Sequence, residues 1–291
     1  MIIAIVGPTG SGKTSLACQL SDYLGEAPII SCDAFQIYKD MDIGSAKLYE
    51  ESPYFGRHYL LNIKTPDEEY SVMEYQKDFR RVLDELLKTH KDVIICGGTG
   101  LYLRAGLYDY EFSEENIDTS DLEQYSNDEL YEMLLEIDPE TTKIIHKNNR
   151  KRVIRALAIA RNNSLKKSEM IANQKHEMIY DDVKIFFLNP PRDILYERIN
   201  ERVDNMMEEG LVQETESLLK HYKLSRTALQ AIGYKEIISH LNGELTLADA
   251  IELIKKRTRN YAKRQVTFFK HQFNFVEINN LKDIINEIEK K

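Results

Sequence analysis

The octet Gly7-Pro8-Thr9-Gly10-Ser11-Gly12-Lys13-Thr14 fits the spacing GxxxxGK[ST], and the chemistry which that spacing serves is the grip on a polyphosphate. Its glycines let backbone N–H groups converge on an anion, and a helix starting at the end of the loop adds the positive end of its dipole. Lys13 supplies a point charge and Thr14 a hydroxyl suited to Mg2+. The ligand so held carries at least a diphosphate, whether or not it is a nucleotide.

Asp33, in SCDAFQ, stands at the carboxyl end of a strand-like run. In an open parallel sheet ligands bind beyond such ends, so this carboxylate is expected to face the phosphate loop. There it could take a proton from an attacking hydroxyl or nitrogen, or it could simply end the strand as an Asx turn. Gly97-Gly98-Thr99-Gly100 follows another such run; its glycines permit close backbone approach to a ligand and Thr99 offers a hydroxyl, although a tight strand-to-helix turn would use the same residues. Two basic segments complete the set: KNNRKRVIRALAIAR at 147–161 and KKRTRNYAKRQVTFFK at 255–270, the latter interleaved with Tyr261, Phe268 and Phe269. Cations beside aromatics suit phosphate contacts and base stacking on single-stranded or loop RNA, while a solvated helix face is the plainer alternative. Two such runs without compensating acids put the RNA reading level with that alternative.

Five short apolar runs must position these residues: 2–7, 27–33, 92–98, 183–189 and 274–279. They are continuously apolar, as expected of a parallel sheet covered by helices on both faces. Helical patterns lie at 13–24 and at 67–90, the second opening on Pro66-Asp67-Glu68-Glu69. The layout is α/β and doubly wound: a phosphate-loop (P-loop NTPase-like) parallel sheet core, expected over 1–106 and 181–291 with C-terminal helices, interrupted by a helical insertion domain at 107–180. Residues 191–272 read as helices punctuated by Gly210, Gly233 and Gly243.

The chain has 291 residues and a net charge of -9, which as a bulk property disfavours a nucleic-acid partner. The charge is unevenly placed, however. Residues 109–140 hold thirteen acids and no Lys or Arg, 147–167 eight bases and no acid, and 251–270 seven bases against one Glu. In the last segment Lys256, Lys263 and Lys270 recur every seven residues with Arg259 between them, which makes one basic stripe on a helix. Three cysteines without a CxxC pair exclude a disulfide framework or zinc site and fit a reducing compartment. No apolar run approaches the roughly 20 residues that span a bilayer. A strand candidate beginning at Ile2 is expected to leave no room for a targeting segment, and the cytoplasm is the expected location.

In combination the motifs resemble the bacterial-type tRNA dimethylallyltransferases, also called tRNA isopentenyltransferases. GPTGSGKTSLA, CDAFQIYKDMDIGSAK, RHYLLNIKTPDEEYSV, GGTGLYLRA, RVDNMMEEGL, QAIGYKE and TRNYAKRQVTFF stand in the family's order across nearly the whole chain. The resemblance implies transfer of an allylic group from dimethylallyl diphosphate to N6 of the adenosine 3′ of a tRNA anticodon, with Mg2+ as cofactor, the tRNA anticodon stem-loop as partner, no membrane and a monomeric chain. It makes Asp33 the general base, places Thr99 near the leaving oxygen and Arg202 near the diphosphate, and wraps Thr9 to Thr14 around that group. It assigns tRNA contacts to Asp33, Ala34, Phe35 and Gln36; to Lys151, Arg152, Val153, Ile154 and Arg155; to Gln230, Ala231, Ile232, Gly233, Tyr234 and Lys235; and to Lys263, Arg264, Gln265, Val266, Thr267, Phe268, Phe269 and Lys270. Ala34, Tyr59, Asn62, Asn149 and Phe268 depart from the residues usual in the family.

Two other readings stay open on the motifs alone. A phosphate-loop kinase would explain Lys13, Thr14 and Asp33 equally well, though a small acceptor needs no paired basic helices. A nucleotide-dependent RNA-binding switch without group transfer is the third.

Overall fold

The computed structural model describes residues 1–110, 112, 119–162, 166, 168–169 and 177–290. They form two compact units, Met1–Gly106 with Tyr180–Lys291, and Leu107–Ile179.

The first unit is built on a parallel sheet of β1 (Ile2–Val6), β2 (Ile29–Ser31), β3 (His58–Tyr59), β4 (Val93–Gly97), β5 (Val183–Leu188) and β6 (Val276–Ile278), in the order β3-β2-β4-β1-β5-β6. Each apolar run contains one strand. Every residue of β1 and β4 is buried, which is why their sequences are unbroken Ile, Val, Ala, Cys and Gly. β3 went unread, because two residues paired only at the sheet edge leave no periodic signal. β1 runs between β4 and β5, with Val6 opposite Gly97 on one side and Phe187 on the other. The chain order reverses at β1, so the crevice beyond its carboxyl end is where this topology places a ligand.

Helix α1 (Lys13–Tyr23) packs Leu16, Ala17 and Leu20 onto Ile3, Ile5, Ile29 and Phe186. Helix α2 (Val72–Thr89) starts later than the acidic run suggests, since Ser71 and Glu74 form its capping box. The acids ahead of it cap turns instead. Glu68 accepts from the backbone and hydroxyl of Thr65, and Glu69 accepts from Arg226 N and Thr227 Oγ1. After α3 (Gly100–Leu107) and the second unit, the chain returns through β5 to α7 (Arg192–Glu208), α8 (Leu211–His221), α9 (Tyr234–Leu241), the 26-residue α10 (Leu247–Gln272), β6 and α11 (Leu281–Glu289).

Glu214 of α8 anchors the long loop after β2. Its carboxylate accepts from three successive amides, Asp42 N at 3.1 Å, Ile43 N at 2.9 Å and Gly44 N at 3.2 Å, and from Tyr234 Oη at 2.6 Å. Gly44 must lack a side chain here, because a Cβ would stand 2.5 Å from the buried Tyr234 ring.

The second unit contains α4 (Asn127–Ile137), α5 (Pro139–Thr142) and α6 (Arg150–Asn162), which bury Leu130, Leu134, Val153 and Leu157 against one another. Its basic segment is less free than the sequence implies. Lys147 pairs with Asp128 at 2.7 Å, Arg161 with Asp121 at 2.6 Å, and Arg150 donates to the carbonyls of Tyr125 at 2.7 Å and Glu123 at 2.8 Å. Part of the acidic stretch therefore compensates part of the basic one, across a helical hairpin that sequence separation conceals. Among the described residues no helix is long and apolar enough to cross a membrane.

Candidate active site

The phosphate loop leaves β1 and enters α1 through Gly12, whose φ of 92° is left-handed and suits glycine. Lys13 Nζ donates to Pro8 O at 2.7 Å, closing the loop on itself. The loop forms one wall of a cavity of ≈ 570 Å³, to which Thr9, Gly10, Gly12, Lys13 and Thr14 contribute, while Gly7, Pro8 and Ser11 lie outside its lining. Burial pulls the pKa of Lys13 down to about 8, although Cys96 and Asp33 work the other way; Arg202 nearby lowers it further. Burial also lowers that of Arg202, whose guanidinium donates to Thr9 Oγ1 at 3.3 Å. Two cations desolvated side by side constitute a site that an anion would relieve.

Asp33 lines the same cavity, one strand beyond β4 from the phosphate loop. Its Oδ1 accepts from Phe35 N at 2.9 Å and Gln36 N at 3.4 Å, so it does end β2 as an Asx turn. The turn fixes one carboxylate oxygen, and the residue still lines the cavity. Thr99, just past β4, braces that turn, its Oγ1 accepting from Ala34 N at 3.2 Å.

The remaining expected residues divide. Phe35, Gln36, Gln230, Ile232, Gly233, Lys235, Arg264 and Gln265 line the cavity. Lys263, Thr267 and Lys270 are exposed on α10, with Val266 and Phe268 half-buried. Phe269 cannot serve as a stacking platform: it is 1% exposed and packs on Phe187 and Phe273. Ala231 and Tyr234 are likewise buried. In the second unit Lys151 and Arg152 are exposed, Arg155 is half-buried, and Val153 and Ile154 belong to the core. The side chain of Gln265 points inward and is occupied by two loops, as described below.

Sequence reading missed most of the apolar wall. Leu48 and Leu61, Ile199, Val203 and Met206 on α7, and Ile254 on α10 line the cavity, together with Arg198 and Thr258. The α7 set was available in principle, because Arg198, Ile199, Arg202, Val203 and Met206 recur at three- and four-residue steps on one helix face. The site thus joins a cationic cradle suited to an anion, a carboxylate, and an apolar compartment with Phe35 and Tyr261 on its lining. Arg264 lies 5.7 Å from the centroid of the Tyr261 ring.

Residues 36–272 match the model of a family described as IPP transferase. The chain is 43% identical over 278 residues to the tRNA dimethylallyltransferase of Bacillus licheniformis, covering 93% of this chain and 88% of that protein. It resembles the crystal structure of tRNA delta(2)-isopentenylpyrophosphate transferase from Staphylococcus epidermidis, with a TM-score of 0.71, 35% identity, and 99% and 98% of the two chains covered. A eukaryotic dimethylallyltransferase acting on tRNA superposes with a TM-score of 0.81 at 29% identity, over 97% of this chain and 74% of that one. With the motifs in order and the match spanning most of its length, this chain belongs to the IPP transferase family.

Proposed function

We propose that the protein transfers the dimethylallyl group of dimethylallyl diphosphate to N6 of the adenosine 3′-adjacent to the anticodon of tRNAs reading U-starting codons, giving N6-isopentenyladenosine. The observation that carries this is the placement of Lys13, Arg202 and Asp33 around one cavity with an apolar wall. An exocyclic adenine nitrogen is a weak nucleophile, so C1 of the allyl group must gain cationic character as its C–O bond breaks. The N6–C1 bond forms, the electron pair of the broken bond departs with diphosphate, and the N6 proton passes to Asp33. Lys13, Arg202 and the first-turn amides of α1 stabilise the departing charge. Phe35, Tyr261 and Arg264 supply ring and guanidinium faces for a base drawn from the anticodon loop, a step costing a few kcal/mol.

Mg2+ suits the donor set. Thr14 offers a hydroxyl at the cavity, and the phosphate oxygens of the donor would supply the ion's other main ligands. When bound it would neutralise charge on the leaving group. The partner is the tRNA anticodon stem-loop, gripped by exposed cations of α6 and α10, and the enzyme works as a cytoplasmic monomer.

The test is incubation with labelled dimethylallyl diphosphate, Mg2+ and unmodified tRNA carrying adenosine at the target position. Label should enter the tRNA and be lost in Asp33→Ala with tRNA binding kept. ATP-dependent phosphorylation of a small acceptor without labelling of tRNA would overturn the assignment.

A further inference from the structure

The β1–β4 ladder ends where Val6 faces Gly97, and beyond that point the two chains continue as the two glycine-rich loops. One side chain bridges them. Gln265 of α10 accepts from Thr9 N through Oε1 at 2.9 Å and donates from Nε2 to Gly98 O at 2.9 Å. Its partners fix the orientation of the amide, since a backbone N–H requires an acceptor and a carbonyl requires a donor. The side chain is 6% exposed, and a Cβ on Gly98 would stand 2.3 Å from Nε2, so the approach is open only to glycine at that position. In effect a side-chain amide adds one rung beyond the last backbone pair of the ladder.

The consequence falls on Thr9. Its backbone is held by Gln265 on α10 and its hydroxyl receives Arg202 from α7, so two helices distant in sequence set the position of one loop residue. Gly98 leads directly into Thr99, which braces the Asp33 turn. The Gln265 amide therefore ties the cradle loop to the loop that braces the Asp33 turn. Removing it leaves a partly buried N–H and a buried C=O without this partner, and the loops lose their common reference.

We infer that Gln265 is a positioning residue for the transfer, setting the phosphate loop relative to the Asp33 strand end through its bridge from Thr9 to Gly98. This rests on the diphosphate reading of the cavity given above. Gln265 does not itself meet the reacting atoms; it acts through Thr9 and Gly98.

Three proteins test it: wild type, Q265M, which keeps length and loses both hydrogen bonds, and Q265E, which differs from glutamine in one group. With dimethylallyl diphosphate as varied substrate, kcat/KM should fall about a hundredfold in Q265M, the scale for displaced catalytic geometry, while KM for tRNA stays near that of wild type. Binding of inorganic diphosphate with Mg2+, followed by calorimetry without any tRNA, should weaken in parallel.

Q265E supplies a readout that a purely structural role would not move. The ionised carboxylate can accept from Thr9 N but cannot donate to Gly98 O; protonated, it can do both. Its activity relative to wild type should therefore rise as pH falls, all within one folded protein. Wild-type donor kinetics in Q265M, or a Q265E to wild-type ratio independent of pH, would overturn the proposal. Failure of the wild type to bind diphosphate or label tRNA would instead strike the underlying function, so the two failures are separable.

Discussion

Arg202 and Thr9, 193 positions apart in the chain, meet where the guanidinium donates to the hydroxyl at 3.3 Å. The contact leaves the rest of the planar fork beside Lys13 at the phosphate loop. Arg202→Ala should therefore lower kcat by about 10²–10³-fold, the range for removing one donor to a developing anion, with tRNA affinity unchanged. Arg202→Lys should recover only part, because an ammonium keeps the charge without the fork. Steady-state kinetics with both substrates varied measure this; an equal loss of tRNA affinity would place Arg202 elsewhere in the reaction.

Asp33 forms a turn and, in the proposed reaction, is also the base; one substitution separates the two roles. Asp33→Asn keeps an acceptor for Phe35 N and Gln36 N but cannot take a proton at neutral pH. Transfer should drop about 10²–10⁴-fold while the melting temperature stays close to wild type. Asp33→Ala loses the turn too and should melt earlier. Equal activity in Asp33→Asn and wild type would remove the general-base role.

Lys13 gives diphosphate binding a pH dependence of known sign. Burial brings its pKa to about 8, below the ordinary 10.5, so the free protein loses this charge above that pH. An anion binds the charged form, and above about pH 8 binding must take up a proton. The dissociation constant should then rise by up to about tenfold per pH unit, the limit for one linked proton. Lys13→Arg, charged throughout, should lack that slope under identical conditions. Calorimetry with inorganic diphosphate from about pH 7 to 9.5 decides, the variant correcting for titration of the ligand itself.

The basic segments should divide by their contacts. Lys151, Arg152, Lys263 and Arg264 are exposed, and each charge removed should weaken tRNA binding and reduce the salt slope by about one where it meets a phosphate. Arg150→Ala should lower thermal stability instead, because that side chain holds the carbonyls of Tyr125 and Glu123. Filter binding across a salt series, beside melting curves, separates these outcomes. An unchanged slope in the first group would mean solvated helix faces only.

The sheet was legible because β1 and β4 are buried on both faces and so carry continuous apolar runs. The phosphate loop was legible because its function depends on backbone shape, which glycine spacing encodes locally. The apolar wall was not: Leu48, Leu61, Met206 and Ile254 reach the cavity from four separated segments, and each alone resembles an ordinary core residue. Phe269 shows the converse error. Beside Lys270 it reads as an RNA-stacking ring, but successive residues on a helix face different ways, and this one turns to Phe187. The pairing of Lys147, Arg150 and Arg161 with acids far back in the chain was hidden in the same manner, since charge counted along a sequence does not register a helical hairpin.

The carboxylate of Glu214 has a meaning beyond anchoring a loop. Three consecutive amides converging on one point form a concavity that would attract any phosphate in its reach, and the chain has filled it with an anion of its own. In the proposed reaction the donor's diphosphate is then left with the first turn of α1, where the amide hydrogens still lack intrahelical partners. On that reading, the amides that Glu214 closes matter as much to where a diphosphate would settle as those that α1 leaves open.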